Sequence, residues 1–112
     1  MGYIIGMNPM TLRALAEPNR LRIVELLREQ PYCVGDIAGH LKLRQPQVSK
    51  HLRVLSEAGL VEVRPAAQQH IYQLQAKPFE ELESWIETFK HIWEARFDAL
   101  DGVLEELKEE QK

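Results

Sequence analysis

Cys33 is the only cysteine in the 112-residue chain. One thiol cannot close an internal disulfide or furnish a four-cysteine zinc site, and such a count fits a reducing compartment. Long apolar runs are missing too. Nothing approaches the ~20 residues that span a bilayer, and the opening "MGYIIGMNPM" has no charged segment ahead of a long apolar one. The expectation is a soluble cytoplasmic protein with no membrane partner. Disorder and fibrous repeats are excluded by a composition of 45% hydrophobic and 28% charged residues. The length suits a single domain, 1–112, with one modest core.

Acid is absent from one stretch. Between Ile37 and Ser56 the chain has Lys42, Arg44, Lys50 and Arg53 but no Asp or Glu. The imbalance is wider than this patch. Residues 1–75 carry nine Lys/Arg and six Asp/Glu, a net of +3, whereas residues 76–112 carry five and eleven, a net of −6. An anion-facing element is thus followed by an acidic one.

Hydrophobic spacing divides the chain into short elements. Leu12, Leu15 and Ala16 repeat at helical intervals before Pro18, and Leu21, Ile23, Val24, Leu26 and Leu27 form a broad apolar face after Asn19, a candidate N-cap. "VGDIAGHL" places Val34, Ile37, Ala38 and Leu41 on one helical stripe. A fourth helix, about Gln45 to Ala58, turns Val48, Leu52 and Leu55 inward and stops at Gly59. "LVEVRP" and "HIYQL" then read as two strands of a hairpin with "PAAQQ" at its tip.

The last third reads as one helix, about 79–109. Leu82, Ile86, Phe89, Trp93, Phe97, Leu100, Leu104 and Leu107 step by three and four, close to a heptad seam. At 1.5 Å per residue it is roughly 45 Å long, more than a small domain covers alone. A second copy of the chain is the simplest cover. Trp85, Phe89, Trp93 and Phe97 suit either the core of that contact or a pocket for an apolar effector. The sequence names no inducer.

Two short helices joined by a tight turn, the second basic on its outer face and followed by a hairpin, have the order of a winged helix-turn-helix. The fold class expected is mainly α with a small β-hairpin. With Val48, Leu52 and Leu55 buried, Pro46, Ser49, Lys50 and Arg53 fall on the opposite side of the fourth helix and Gln47 on its flank. That face offers amide, hydroxyl and cationic groups to base edges and phosphates of double-stranded DNA.

"LAEPNRLRIVELL", "DIAGHL", "QPQVSKHLRVLSEAGLVEVR" and "IYQL" resemble the ArsR/SmtB family of bacterial repressors, in order and with ordinary spacings, from about Met10 onward. The resemblance implies a dimeric winged helix, with a core over 10–76. Its first and last helices would form the dimer interface and its fourth helix would enter the major groove. Leu12 and Leu15 would then join the seam residues Leu82 to Leu104 at the interface. The DNA face implied is Gln45, Gln47, Ser49, Lys50, His51 and Arg53, with Arg64, Gln68 and Gln69 on the wing. Gln47 and Ser49 suit base readout, and Lys50 and Arg53 suit phosphates. His51 matches the family's "SxHL" histidine yet lies nearer the buried side, so packing and DNA contact both stand. The family often carries Arg and Gly at the wing tip, and "AAQQ" has neither.

Many members of that family sense metals. Their thiolate site needs two cysteines one residue apart on the third helix, since a soft ion requires several sulfur ligands at about 2.3 Å. "CVGD" supplies Cys33 and then Gly35. The site on the last helix needs an acid two residues before a histidine, but His91 follows Phe89 and no later histidine exists. No metal and no cofactor are therefore expected. Cys33, opening a short helix, is a candidate redox thiol or a structural one.

Arg44 is the odd residue of the fourth helix. A serine or threonine usually caps this helix in the family. Arginine has no acceptor for first-turn N–H groups and opposes the helix dipole, a loss of order 1 kcal/mol. A DNA phosphate against Arg44 would offset it. Pro46 fits because a first-turn residue needs no N–H partner.

The function expected is a dimeric repressor reading an inverted repeat. A different class is an interaction module that uses the acidic face of the last helix (Glu80, Glu81, Glu83, Glu87, Glu94), with the winged helix as scaffold. An enzyme is not expected: there is no glycine-rich phosphate loop, no nucleophile with a base at recognisable spacing, and no evident acid pair.

Overall fold

The computed structural model describes residues 7–110; residues 1–6, which hold most of the N-terminal stretch read above, and 111–112 lie outside the described residues. Helix α1 (Pro9–Leu15) starts at Asn8, whose Oδ1 accepts the Met10 N–H at 2.9 Å. Helix α2 (Pro18–Leu27) begins one turn later, and its cap is Glu17 rather than Asn19. Pro18 takes the first helical position, where no N–H is needed, so the cap falls on the residue before it. Glu17 Oε2 accepts the Arg20 N–H at 2.8 Å, and Arg20 Nε reaches back to the Ala14 carbonyl at 2.8 Å. That second bond ties α1 to α2.

Strand β1 (Tyr32–Cys33) precedes α3 (Val34–Leu41) and is too short to have a recognisable alternation. The turn out of α3 passes through Lys42 in the left-handed region, φ 57°, and Leu43 N–H closes on the Ala38 carbonyl at 3.1 Å. A non-glycine residue there costs about 1–2 kcal/mol. Helix α4 (Gln45–Glu57) follows and stops at Gly59, φ 77°, where the sequence places its end.

The wing consists of β2 (Val61–Ala66) and β3 (Gln69–Leu74), antiparallel in register from Val61↔Leu74 to Ala66↔Gln69. Its tip is two residues, not the five of "PAAQQ". Ala67 at φ 55° turns the chain tightly enough for Pro65 and Ala66 to stay in the strand. Proline is tolerated because β2 is an edge strand in a sheet of order β1-β3-β2.

The core lies where α2, α3 and α4 meet the sheet. Ile23, Ile37, Leu52, Leu55, Leu60, Val48 and Val61 are fully buried there. Each contributes about 1.5–3 kcal/mol by leaving water. Phe79 packs on the edge of this cluster at the start of α5 (Ala76–Glu110). Beyond its first turns α5 leaves the body, and the chain measures 71 × 36 × 22 Å. Among the described residues no helix is long and apolar enough to cross a membrane.

Candidate nucleic-acid interface

Helix α4 is held by one face and open on the other. Val48, Leu52 and Leu55 anchor it at 0% exposure, and a 100° step per residue then sends Gln45, Gln47, Ser49, Lys50 and Arg53 outward, all exposed. The face they form carries two cations and no acid. Arg44 adds a third cation at its N-terminal edge.

The start of α4 is partly self-capped. Arg44 donates its backbone N–H to Gln47 Oε1 at 3.2 Å, and its carbonyl accepts the N–H groups of Gln47 and Val48 at 3.0 and 3.1 Å. This is half of a reciprocal capping box. A guanidinium has no acceptor, so Arg44 cannot return the bond. Pro46 has no N–H to satisfy. Arg44 therefore leaves its charge free at the mouth of the helix, while Gln47 Oε1 is occupied and its Nε2 is free to donate.

His51 sits differently from the rest of the set. Its side chain is 19% exposed, and Nδ1 lies 3.7 Å from Glu17 Oε2, the cap of α2. Of the two readings of this residue, the geometry in the free chain matches packing.

On the wing, Arg64, Gln68 and Gln69 are exposed. Gln68, Gln69 and His70 share an open groove of about 400 Å³ with Gln45 and the start of α3, Cys33 to Gly35. The wing tip and the head of α4 thus line one continuous surface. His70 on that surface was not picked out by sequence reasoning, because an alternating strand gives no sign of which neighbour its outward face meets. Cys33 is half-buried and free, and it precedes α3 without making a side-chain cap. No group of three His, Cys, Asp or Glu side chains among the described residues is placed to hold a metal ion.

Wing electrostatics come from a side-chain ladder. Gln73 Nε2 donates to Glu62 Oε1 at 2.6 Å and Gln75 Nε2 to Glu62 Oε2 at 3.1 Å. The Gln73 bond chiefly, then that of Gln75, with Arg64 nearby, hold the Glu62 carboxyl below the ordinary glutamate range.

Helix α5 presents the second surface. Ile86, Phe89, Trp93, Phe97, Leu100 and Leu104 are each 44–60% exposed, as is Leu12 of α1 at 40%. Leu15 and Leu82 are half-buried against the body. Arg96 lies over the Trp93 ring, 5.2 Å from its centroid.

A three-helix core, a helix-turn-helix and a β-wing, with the second helix of the pair exposed and basic, define a winged helix DNA-binding transcriptional regulator. Residues 17–63 match the family model described as "Bacterial regulatory protein, arsR family". The HTH-type transcriptional regulator Rv2034 of Mycobacterium tuberculosis is 40% identical over 77 residues, 69% of this chain and 72% of that protein. The chain spans about half of some other relatives, such as 47% of the repressor SmtB of M. tuberculosis, to which it is 43% identical over 63 residues. Among solved structures, a "possible transcriptional regulator for arsenical resistance" superposes with TM-score 0.64 at 35% identity, over 70% of this chain and 82% of that one. A homodimeric winged helix-turn-helix DNA-binding domain from Mycobacterium bovis matches with TM-score 0.62 at 25% identity, over 74% and 77%. The chain belongs to the arsR family of bacterial regulatory proteins.

Proposed function

We propose that the protein is a cytoplasmic homodimeric repressor that occludes a promoter by binding an inverted-repeat operator. The observation that carries this reading is the acid-free outward face of α4, fixed on the core by three fully buried aliphatic residues. Placed in a major groove, Gln45, Gln47 and Ser49 meet base edges, while Arg44, Lys50 and Arg53 meet phosphates. Arg64, Gln68 and Gln69 follow the adjacent backbone from the wing. His51 steadies α4 from behind.

The second copy is seated on α1 and α5, where Leu12 and the α5 seam from Ile86 onward are otherwise left to water. Two recognition helices about 34 Å apart then read successive major grooves on one side of the duplex. The relatives named as repressors and the homodimeric relative support this arrangement. The family assignment favours it over an interaction module built on the acidic face of α5 and over an enzyme.

Titration of a labelled duplex taken from upstream of the gene, at two salt concentrations, tests the reading. Tight binding that a scrambled duplex does not reproduce, and that weakens steeply with salt, is expected. Equal affinity for the scrambled duplex would remove the operator from the account.

A further inference from the structure

Resting on the major-groove reading of α4, we infer that Gln47 reads the operator as a donor alone and selects guanine, because the backbone of Arg44 holds its amide oxygen. Gln47 Oε1 accepts the Arg44 N–H at 3.2 Å. A backbone N–H pairs only with an acceptor, so this contact fixes which end of the amide is oxygen and which is nitrogen. The oxygen is drawn back to the residue three before it, as a third-position glutamine does when it reaches for the cap. Among the described residues Gln47 Nε2 has no hydrogen-bond partner within the chain. Gln47 is exposed in the first turn of α4, and the N-terminal residues of a recognition helix are the ones that meet base edges.

The four bases ask different things of that side chain. An unconstrained glutamine pairs with adenine through both ends, its amino group giving to N7 and its oxygen taking from the N6 amino group. Gln47 supplies the first of these bonds, but the second requires both ends of the amide to face one base edge. A carbonyl oxygen has a second lone pair, yet the bond to Arg44 turns the oxygen toward the chain instead. Guanine asks for donors only: N7 and O6 stand side by side, and the two hydrogens of Nε2 serve them. Thymine offers O4 beside its methyl group, and cytosine offers no acceptor in the major groove. The order at the base under Gln47 is therefore guanine, then thymine, with adenine and cytosine below.

A backbone group sets the constraint, so a change at residue 44 alters the base preference without touching the base. Arg44 has φ −80° and ψ 144°. Proline, with φ about −65 ± 15° and no N–H, fits that backbone. Arg44→Pro thus removes the bond to Gln47 Oε1 without turning the chain. Arg44→Ala removes the same cation and keeps the N–H. Both retain the carbonyl that accepts the N–H groups of Gln47 and Val48.

Selection of the full chain against a duplex library with randomised half-sites tests the assignment. The position whose preference disappears in Gln47→Ala is the base that Gln47 reads, and guanine is expected there in the parent. Replacing that guanine by 7-deazaguanine, which lacks the N7 acceptor, should weaken binding several-fold in the parent and make no difference in Gln47→Ala. Arg44→Ala should bind more weakly throughout while guanine keeps its several-fold lead over adenine. In Arg44→Pro adenine should draw level with guanine. Adenine preferred by the parent, a deazaguanine duplex bound as well as the guanine one, or one and the same preference in folded Arg44→Ala and Arg44→Pro would overturn the donor-only assignment. So would a Gln47→Ala chain that loses no base preference, and in each of these cases the operator reading stands. A parent chain that enriches no sequence would overturn both. The deazaguanine comparison decides the matter if Arg44→Pro does not fold.

Discussion

His51 of the exposed helix α4 meets Glu17, the cap of α2, with Nδ1 3.7 Å from Oε2. The same carboxylate oxygen accepts the Arg20 N–H at 2.8 Å, so one side chain starts α2 and braces the back of α4. Helix α4 is thus fastened to the scaffold by a polar contact as well as by its aliphatic stripe.

That contact sets a prediction for the two residues. Glu17→Ala removes the cap of α2 and should lower stability by about 1 kcal/mol. Chemical denaturation measures it. His51→Ala should also lower stability, while the slope of log affinity for DNA against log salt stays at the wild-type value. A shallower slope would place His51 on a phosphate.

Arg44 offers the opposite trade. Serine can accept the first-turn N–H groups that a guanidinium cannot, so Arg44→Ser should raise the stability of the free protein by about 1 kcal/mol. Operator affinity should fall, and its salt slope should drop by about 0.9 for each phosphate that Arg44 no longer neutralises. Unchanged binding would show that no phosphate sits at the mouth of α4.

The wing carries the pH dependence. A carboxyl held low in the folded chain adds stability that is present above the unfolded glutamate range and is lost as pH falls through the folded value. Glu62 is such a group, held by Gln73 first and Gln75 second. Its side-chain NMR titration should have a midpoint below that of a free glutamate, and Gln73→Leu should move the midpoint upward. A midpoint at the free value in the parent chain would remove the ladder from solution.

Much of this was legible because pattern and packing agreed. The stripe Val48, Leu52 and Leu55 fixed the inward side of α4, so its outward set followed from geometry alone. Gly59 marked the end of that helix by its φ of 77°. What escaped the sequence depends on contacts between distant residues or on unusual backbone. β1 is two residues long and exists because Tyr32 and Cys33 pair with Tyr72 and Ile71. The wing tip turns at Ala67 and the helix-turn-helix at Lys42, both at positive φ without a glycine to announce it. α5 begins at Ala76 rather than Phe79, because Pro78 falls in the first turn, where its missing N–H costs nothing. The shift from Asn19 to Glu17 as cap of α2 has the same origin in Pro18.

The outward cations of α4 carry the account, and one measurement addresses them directly. The salt dependence of binding to an operator duplex should be compared between the parent chain and the variant with Lys50→Ala and Arg53→Ala. With two phosphates per copy left without a cation in a dimer, the slope of log affinity against log salt should fall by about 3.6. Circular dichroism should report the same fold for both proteins, since Lys50 and Arg53 are exposed. A slope and affinity unchanged in the folded variant would contradict the assignment of α4 as the DNA-reading helix.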